Sequence, residues 1–322
     1  MPSSFQKTIL ITGGTTGLGY HCALILARKY PKYQIIVASR TDRGRSADRI
    51  NSILKQDNVR YMHLDLSSLA EVRSFAAAWA EKQFPPIQVL LLNAGLQIKN
   101  GIAYTVDGFE KTFAVNHIGH ALLFGLLMPH LVENARVVIT SSGTHDPAQK
   151  TGLPDAKYIS AEELAHPSPE SVKQNDGRQR YASSKLVNVL WMYALHRRLQ
   201  GLKENKWTFL AMDPGLMPGT GLARDYNVVL RFFWLRVMPN ILPLMRMLIS
   251  PNIHSPQESA EALARLASDP DMEGISGKYF EGMSDIKSSE DSYNETKQED
   301  LWAWTVKTVS KDVEEAKRFG IV

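Results

Sequence analysis

A chain of 322 residues that is 44% hydrophobic and 22% charged has the balance of an ordinary soluble globular protein, and its length allows one large domain or two of ordinary size. The formal net charge of +4, with both signs scattered, is too mild to argue for a nucleic-acid partner, though it suits an anionic ligand. The single cysteine, Cys22, excludes an internal disulfide and any cysteine-rich metal site.

The opening MPSSFQKTILITGG lacks a charged region followed by a long apolar stretch, so no secretory signal is expected and a cytoplasmic location is. TILIT (8–12) reads as the first strand. Further strands are expected at YQIIVA (33–38), RYMHL (60–64), QVLLL (88–92), RVVITS (136–141) and WTFLAM (207–212). Several are nearly continuous apolar runs, as in strands covered on both faces. Helical patterns lie between them. Ser68 with Glu71 is expected to form a capping box before LAEVRSFAAAWAEKQ, and Ser255, Pro256 and Glu258 open PQESAEALARLAS in the same way. This alternation argues for an α/β fold, a doubly wound, mostly parallel sheet with helices on both faces. Two segments break the rhythm: residues 143–180 are polar and turn-rich, and residues 228–249 are strongly apolar. Both read as insertions around a core.

The stretch ITGGTTGLGY places Gly13, Gly17 and Gly19 between a strand and a helix. Free backbone N–H groups at such a helix N-terminus suit a pyrophosphate. The spacing is not G-x-G-x-x-G, so on the glycines alone a tight turn without a ligand stays open. About 20 residues on, where an acid would bond the ribose hydroxyls of NAD, ASRTDR puts Ser39 and Arg40, with Asp42 later. Arginine pairs with phosphate through charge-assisted bonds, which reads as NADP; a solvated surface arginine is the bland alternative. In YASSK, Tyr181 and Lys185 share a helix face. A cation beside a phenol is expected to lower its pKa toward neutrality and make it a general acid/base. Alone, Y-x-x-x-K is also common on exposed helices.

In combination these motifs resemble the short-chain dehydrogenase/reductase family. TGGTTGLG (12–19) matches its turn, and Asn93, Ala94 and Gly95 match its NAG after the fourth strand. Asn116 in FAVNHIGH, the serine in VVITSSG, Tyr181 to Lys185, and Pro214–Gly215 follow in order. The resemblance implies a Rossmann fold in which Tyr181 exchanges a proton with the substrate oxygen. Lys185 lowers its pKa and holds the nicotinamide ribose, Ser142 bonds the substrate carbonyl, and Asn116 holds a water in a proton relay. By the same resemblance Ser141 is strand packing. Cofactor contacts are implied for Gly13, Thr15, Thr16, Gly17, Leu18 and Gly19, and for Ser39 and Arg40. Asp65 (toward the adenine), Leu66, Asn93, Ala94, Gly95, Tyr181, Lys185, Pro214, Gly215 and Thr220 complete the set. Gly219 stands where the family has its threonine, with Thr220 next.

Ser142 and Tyr181 are separated by 38 intervening residues. So long an insert resembles the branch of light-dependent protochlorophyllide reductases and retinol dehydrogenases, as do residues 213–226, 255–270 and 295–304. The additional cysteines of pigment reduction by light are missing. The expected organisation is one NADP-binding domain over 1–322, with an insertion at about 143–180 and an apolar substrate lid at about 216–254. The expected activity is NADP-dependent reduction of a carbonyl, or oxidation of the matching alcohol, on an apolar small molecule. Reduction of a conjugated C=C bond is the alternative within enzymology, and a catalytically silent NADP-binding regulator the alternative outside it.

No metal is expected at His117, His120 or His145, and Trp302 and Trp304 read as core anchors. The 22 residues 228–249 are long enough to span a bilayer, but Arg231, Arg236, Arg246, Pro239 and Pro243 argue against it. A lid with Phe232, Phe233 and Trp234 facing the substrate or the core is the leading reading. A peripheral membrane contact is the other. Nothing in the sequence fixes the oligomeric state.

Overall fold

In the computed structural model, residues 5–199, 206–220 and 228–320 are described. Strands and helices alternate through β1 (Lys7–Thr12), α1 (Gly17–Lys29), β2 (Tyr33–Ser39), α2 (Ser46–Leu54), β3 (Val59–His63), α3 (Leu69–Lys82) and β4 (Ile87–Leu92). One long helical stretch follows as α4 (Lys111–Phe113), a π turn (Ala114–Ile118) and α5 (Gly119–Leu127), leading to β5 (Leu131–Thr140). Short turns with α6 (Ala161–Ala165) and α7 (Pro169–Gln174) precede α8 (Gly177–Leu199) and β6 (Thr208–Asp213). The chain closes with α9 (Val228–Phe232), α10 (Leu242–Leu248), α11 (Pro256–Ser268), β7 (Lys278–Glu281), β8 (Ser284–Ile286), α12 (Glu295–Val309) and α13 (Val313–Gly320).

The sheet order is β3-β2-β1-β4-β5-β6-β7-β8, and only the β7–β8 pairing is antiparallel. Successive strand residues face opposite layers. Leu10, Ile36 and Leu90 therefore join the core under α3, α5, α8 and α12, while Ile9, Ile35 and Val89 join the one under α1, α2 and α11. Both layers being apolar is why the strands read as unbroken hydrophobic runs rather than alternating ones. The doubly wound α/β architecture is as the alternation implied.

Several details differ from the sequence reading. β5 begins at Leu131, and β7 and β8 had no counterpart among the expected strands; with four and three residues they are too short for any period to show. Ser255 and Glu258 form a full capping box. Ser68 accepts from the Glu71 N–H at 3.4 Å, but the Glu71 carboxylate lies 3.6 Å from His63 Nε2 rather than returning to the cap, so that box is only half made. Lys111–His130 has the length and apolarity to cross a membrane, yet its most apolar window is 89% buried within the protein as the core helix beside α3 and α8. Residues 228–249 form no continuous helix: α9 runs on through a π turn (Phe233–Val237) and a 3-10 turn (Met238–Asn240), and the backbone leaves helical geometry at Ile241 before α10.

Candidate active site

β1 has β2 on one side and β4 on the other, so the strand order reverses there and a crevice opens beyond the strand ends. A cleft of about 1050 Å³ occupies it. Its walls come from the segments following β1 to β6, from Gly13 at one end to Asp213 at the other.

At the first end, Thr16 caps α1 without a side-chain hydrogen bond, and no acid stands in the first helical turn. The N–H groups there are left for an anion. Gly17 has φ +53°, and a Cβ on it would meet only Thr220, at 3.7 Å. A Cβ on Gly19 would instead lie 2.4 Å from the Gly13 carbonyl oxygen, so that glycine serves close packing of the turn on the helix. Thr15 Oγ1 lies 3.0 Å from Ser39 Oγ, tying the glycine turn to the end of β2. Arg40 lines the cleft and is exposed. Asp42 is turned away: its two carboxylate oxygens accept from the Ser46 N–H at 2.8 and 2.9 Å, and Oδ2 accepts from the Ser46 hydroxyl at 2.9 Å, at the start of α2. Asp65 accepts from the N–H and hydroxyl of Ser67, and Leu18, Leu66, Ala94 and Gly95 complete this half of the wall. Asn93 Nδ2 donates to the Thr12 carbonyl at 2.8 Å, joining β4 to β1.

At the other end, Ser142 and Tyr181 line the cleft together, close enough for the Ser142 hydroxyl to act on the phenol. Ser141 donates to the Lys185 carbonyl at 2.8 Å, a structural tie between β5 and α8, as packing requires. Lys185 is 3% exposed; its Nζ donates to the Thr140 carbonyl at 3.0 Å and lies 5.6 Å from the centre of the Tyr181 ring. Burial lowers its pKa to about 8, against an opposing pull from Asp213. The expected lowering of the Tyr181 pKa is not what the geometry gives. Burial first, and then the Asp213 carboxylate, push the phenol above its ordinary value, with the Ser142 hydroxyl opposing. The physical reason is the loss of water around the phenol, with a negative charge beside it and Lys185 Nζ bonded to the Thr140 carbonyl.

Asn116 sits in the π turn and clamps the loop after β4. Its Oδ1 accepts from Leu96 N at 2.9 Å, and its Nδ2 donates to the Leu96 carbonyl at 3.1 Å and to Ser184 Oγ at 2.9 Å. A π turn inside an α-helix often marks a functional position.

A family profile described as short chain dehydrogenase matches residues 7–152. Human polyprenol dehydrogenase is 30% identical over 313 residues, covering 94% of this chain and 84% of that protein. The chain belongs to the short-chain dehydrogenase/reductase family. Human retinol dehydrogenase 13 is 30% identical over 305 residues, with 94% and 84% of the two chains covered. The chloroplastic protochlorophyllide reductase of Daucus carota is 29% identical over 305 residues, covering 90% and 73%. Among solved structures, one of an uncharacterised protein from Mycobacterium paratuberculosis is similar with TM-score 0.67 and 26% identity, covering 96% and 95%. A blue fluorescent protein from a metagenomic library, in complex with NADPH, shares the fold at TM-score 0.61 and 20% identity, covering 88% of this chain and 99% of that one.

Within this short-chain dehydrogenase/reductase, sequence reasoning missed Asp213. It is 2% exposed, lines the cleft, and accepts from Gly215 N at 2.9 Å and Asn252 Nδ2 at 2.7 Å. Its signal was present, a charged residue directly before Pro214–Gly215 at the carboxyl end of a buried strand. Asp213 pairs in register with Glu281 of β7, which also lines the cleft. Burial, and then Asp213, raise the Glu281 pKa, opposed by a bond to Gln149. His145 was also missed as a support: its Nδ1 lies 2.8 Å from the Ser142 carbonyl and its Nε2 accepts from Ser289 N at 3.0 Å, which fixes the proton on Nδ1. Thr220 donates to the Met217 carbonyl at 2.9 Å; with its side chain over Gly17, it stands at the glycine-turn end.

Phe232 and Phe233 do not face the substrate or the core. They are 59% and 47% exposed, because the π turn that follows α9 rotates only Trp234 inward. Trp234 and Ile249 do border the cleft. His117 and His120 turn to different partners, Thr305 Oγ1 and Thr12 Oγ1, each at 2.9 Å. Trp302 is buried, and Trp304 is partly so, with its indole N–H on Glu162.

Proposed function

We propose that the chain is an NADPH-dependent reductase acting on a carbonyl group of an apolar small molecule. The observation that carries this reading is the meeting of Ser142, Tyr181 and Lys185 in a cleft also lined by Leu153, Leu216, Met217, Trp234 and Ile253. The glycine turn, with its uncapped helix N-terminus and an open face at Gly17, fits a dinucleotide pyrophosphate. Arg40 would hold the 2′-phosphate, since Asp42, two residues on, is spent on α2. Asp65 and Leu66 would border the adenine, and Lys185 the nicotinamide ribose. When bound, the nicotinamide supplies the hydride.

The residues of the chain then handle the oxygen. The Ser142 hydroxyl donates to the carbonyl oxygen, and Tyr181 delivers the proton from its phenol. Burial and Asp213 keep the phenol protonated at neutral pH, so it carries the proton that reduction needs. Asn116 and His145 hold the two loops that carry these groups.

The test is NADPH and NADH consumption against a panel of apolar ketones, aldehydes and conjugated enones. Turnover with ketones or aldehydes and NADPH is expected. Tyr181→Phe should lower it by about 100-fold or more with NADPH affinity nearly unchanged. Near-normal turnover in that variant, or activity on enones alone, would sink the reading.

A further inference from the structure

The apolar segment that covers the cleft has a second face. Phe232, Leu244, Met247 and Leu248 are 59%, 48%, 74% and 69% exposed. Monomeric proteins rarely leave so many large apolar side chains of one short segment in water without a partner for them. Residues 228–254 contain no Asp or Glu, and Arg231 and Arg236 are exposed on the same stretch. Arg246 is engaged with Glu258 and with the Ile253 carbonyl, so its charge lies inward of the other two.

We infer that residues 228–249 dock this protein on an anionic lipid bilayer, lying in the interface rather than crossing it. The charge pattern selects this occupant. Arginines interleaved with large apolar side chains and free of acids match acidic headgroups above acyl chains. A second copy of the chain would bring the same arginines face to face. Crossing is excluded by the break at Ile241, which leaves two helical pieces, 228–240 and Leu242–Leu248, each too short to span a bilayer. The position adds a purpose. Ile249 and Ser250 border the cleft, and Ile249 is itself 68% exposed, so the mouth opens on the docking face. An apolar substrate dissolved in the bilayer would enter without crossing water. The docking stands on the patch itself, and only this last step rests on the proposed substrate class.

The experiment is co-sedimentation of the purified protein with vesicles of phosphatidylcholine alone and of phosphatidylcholine mixed with phosphatidylserine, with NADPH affinity measured in parallel as a check on folding. The protein should pellet with the mixed vesicles, less with the neutral ones, and less again as salt is raised. Arg231→Gln with Arg236→Gln should weaken partition by about fivefold per arginine and remove the preference for phosphatidylserine. Phe232→Ser with Leu248→Ser should weaken it by about tenfold or more on both vesicle types, leaving NADPH affinity unchanged. Three results would each overturn the inference. One is absence from the mixed-vesicle pellet. Another is undiminished pelleting of the Phe232→Ser, Leu248→Ser variant. The third is a concentration-dependent dimer that this double variant abolishes while vesicles bind nothing. Because no substrate enters the assay, failure here leaves the reductase reading standing, and the reverse holds too.

Discussion

Arg40 and Asp42 stand two residues apart and do unrelated work, one facing the cleft and the other closing a helix. Replacing Arg40 by Asp should put a like charge against the 2′-phosphate, raising the Kd for NADPH by about 100-fold or more while NADH changes little. An unaltered preference for NADPH, read by fluorescence titration, would remove Arg40 from the cofactor site. Asp213 is testable through pH. It faces Tyr181 and Lys185 on α8, Tyr279 and Glu281 on β7, His145 after β5 and His254 before α11. Its charge raises both the phenol and the ammonium pKa, so Asp213→Asn should lower both. The alkaline limb of the kcat/KM profile should move to lower pH, and a superimposable profile would dismiss the carboxylate. Ser142, Tyr181 and Lys185 were legible because local motifs carry them. The Asp213–Glu281 pair was not, because it exists only through the register of β6 on a strand too short to be seen.

At the scale of elements, capping chemistry was readable wherever a side chain bonds within its own turn. Ser255 and Glu258 are the clear case. Where a side chain had a choice of partners, as Glu71 had with His63, sequence could not decide. The start of α2 is held by Asp42 from outside the helix. Asp42→Ala should therefore cost about 1 kcal/mol in denaturant unfolding, the usual worth of such a cap, without altering the NADPH-to-NADH preference. A changed preference with unchanged stability would reverse the assignment of Asp42 and Arg40. The segment 228–249 was the hardest to read. Its composition favoured a lid over a peripheral membrane contact, but could not say which aromatics turn in; the π turn brings Trp234 in while Phe232 and Phe233 stay out.

For the molecule as a whole, two fully buried histidines contribute to the response to acid. Burial holds His117 down at about 3, with His120 adding to it. Burial also takes His120 to about 4, against its bond to the Asn116 carbonyl and with Lys185 reinforcing the shift. Both native pKa values lie below the ordinary 6.5, so the unfolded chain takes up the protons first as the pH falls. Their contribution is intact above about pH 6.5 and is lost progressively below it. Between about pH 6 and pH 4 the pair should make stability fall by roughly 2.3 kcal/mol per pH unit on average. Urea melts at stepped pH give that slope, and a flat line across the interval would contradict the burial of these two imidazoles. The parallel sheet and its two helical layers were visible in the apolar runs, since their cause is local to each strand. These histidine partnerships were hidden, because Thr305 and Thr12 come from opposite ends of the chain.

The Trp234 indole donates to the Thr220 carbonyl at 3.0 Å, while the Thr220 methyl group is the nearest atom to where a Gly17 side chain would begin. Thr220 and Trp234 thus link the glycine-turn end of the cleft to its mouth. Occupying the first should seat this link and shape the second, so the two reactants cannot arrive interchangeably. Steady-state kinetics should show a compulsory order in which the dinucleotide leads and departs last. NADP+ should then compete with NADPH, and the alcohol product should inhibit NADPH non-competitively. An alcohol competitive with NADPH would mean that the link transmits nothing.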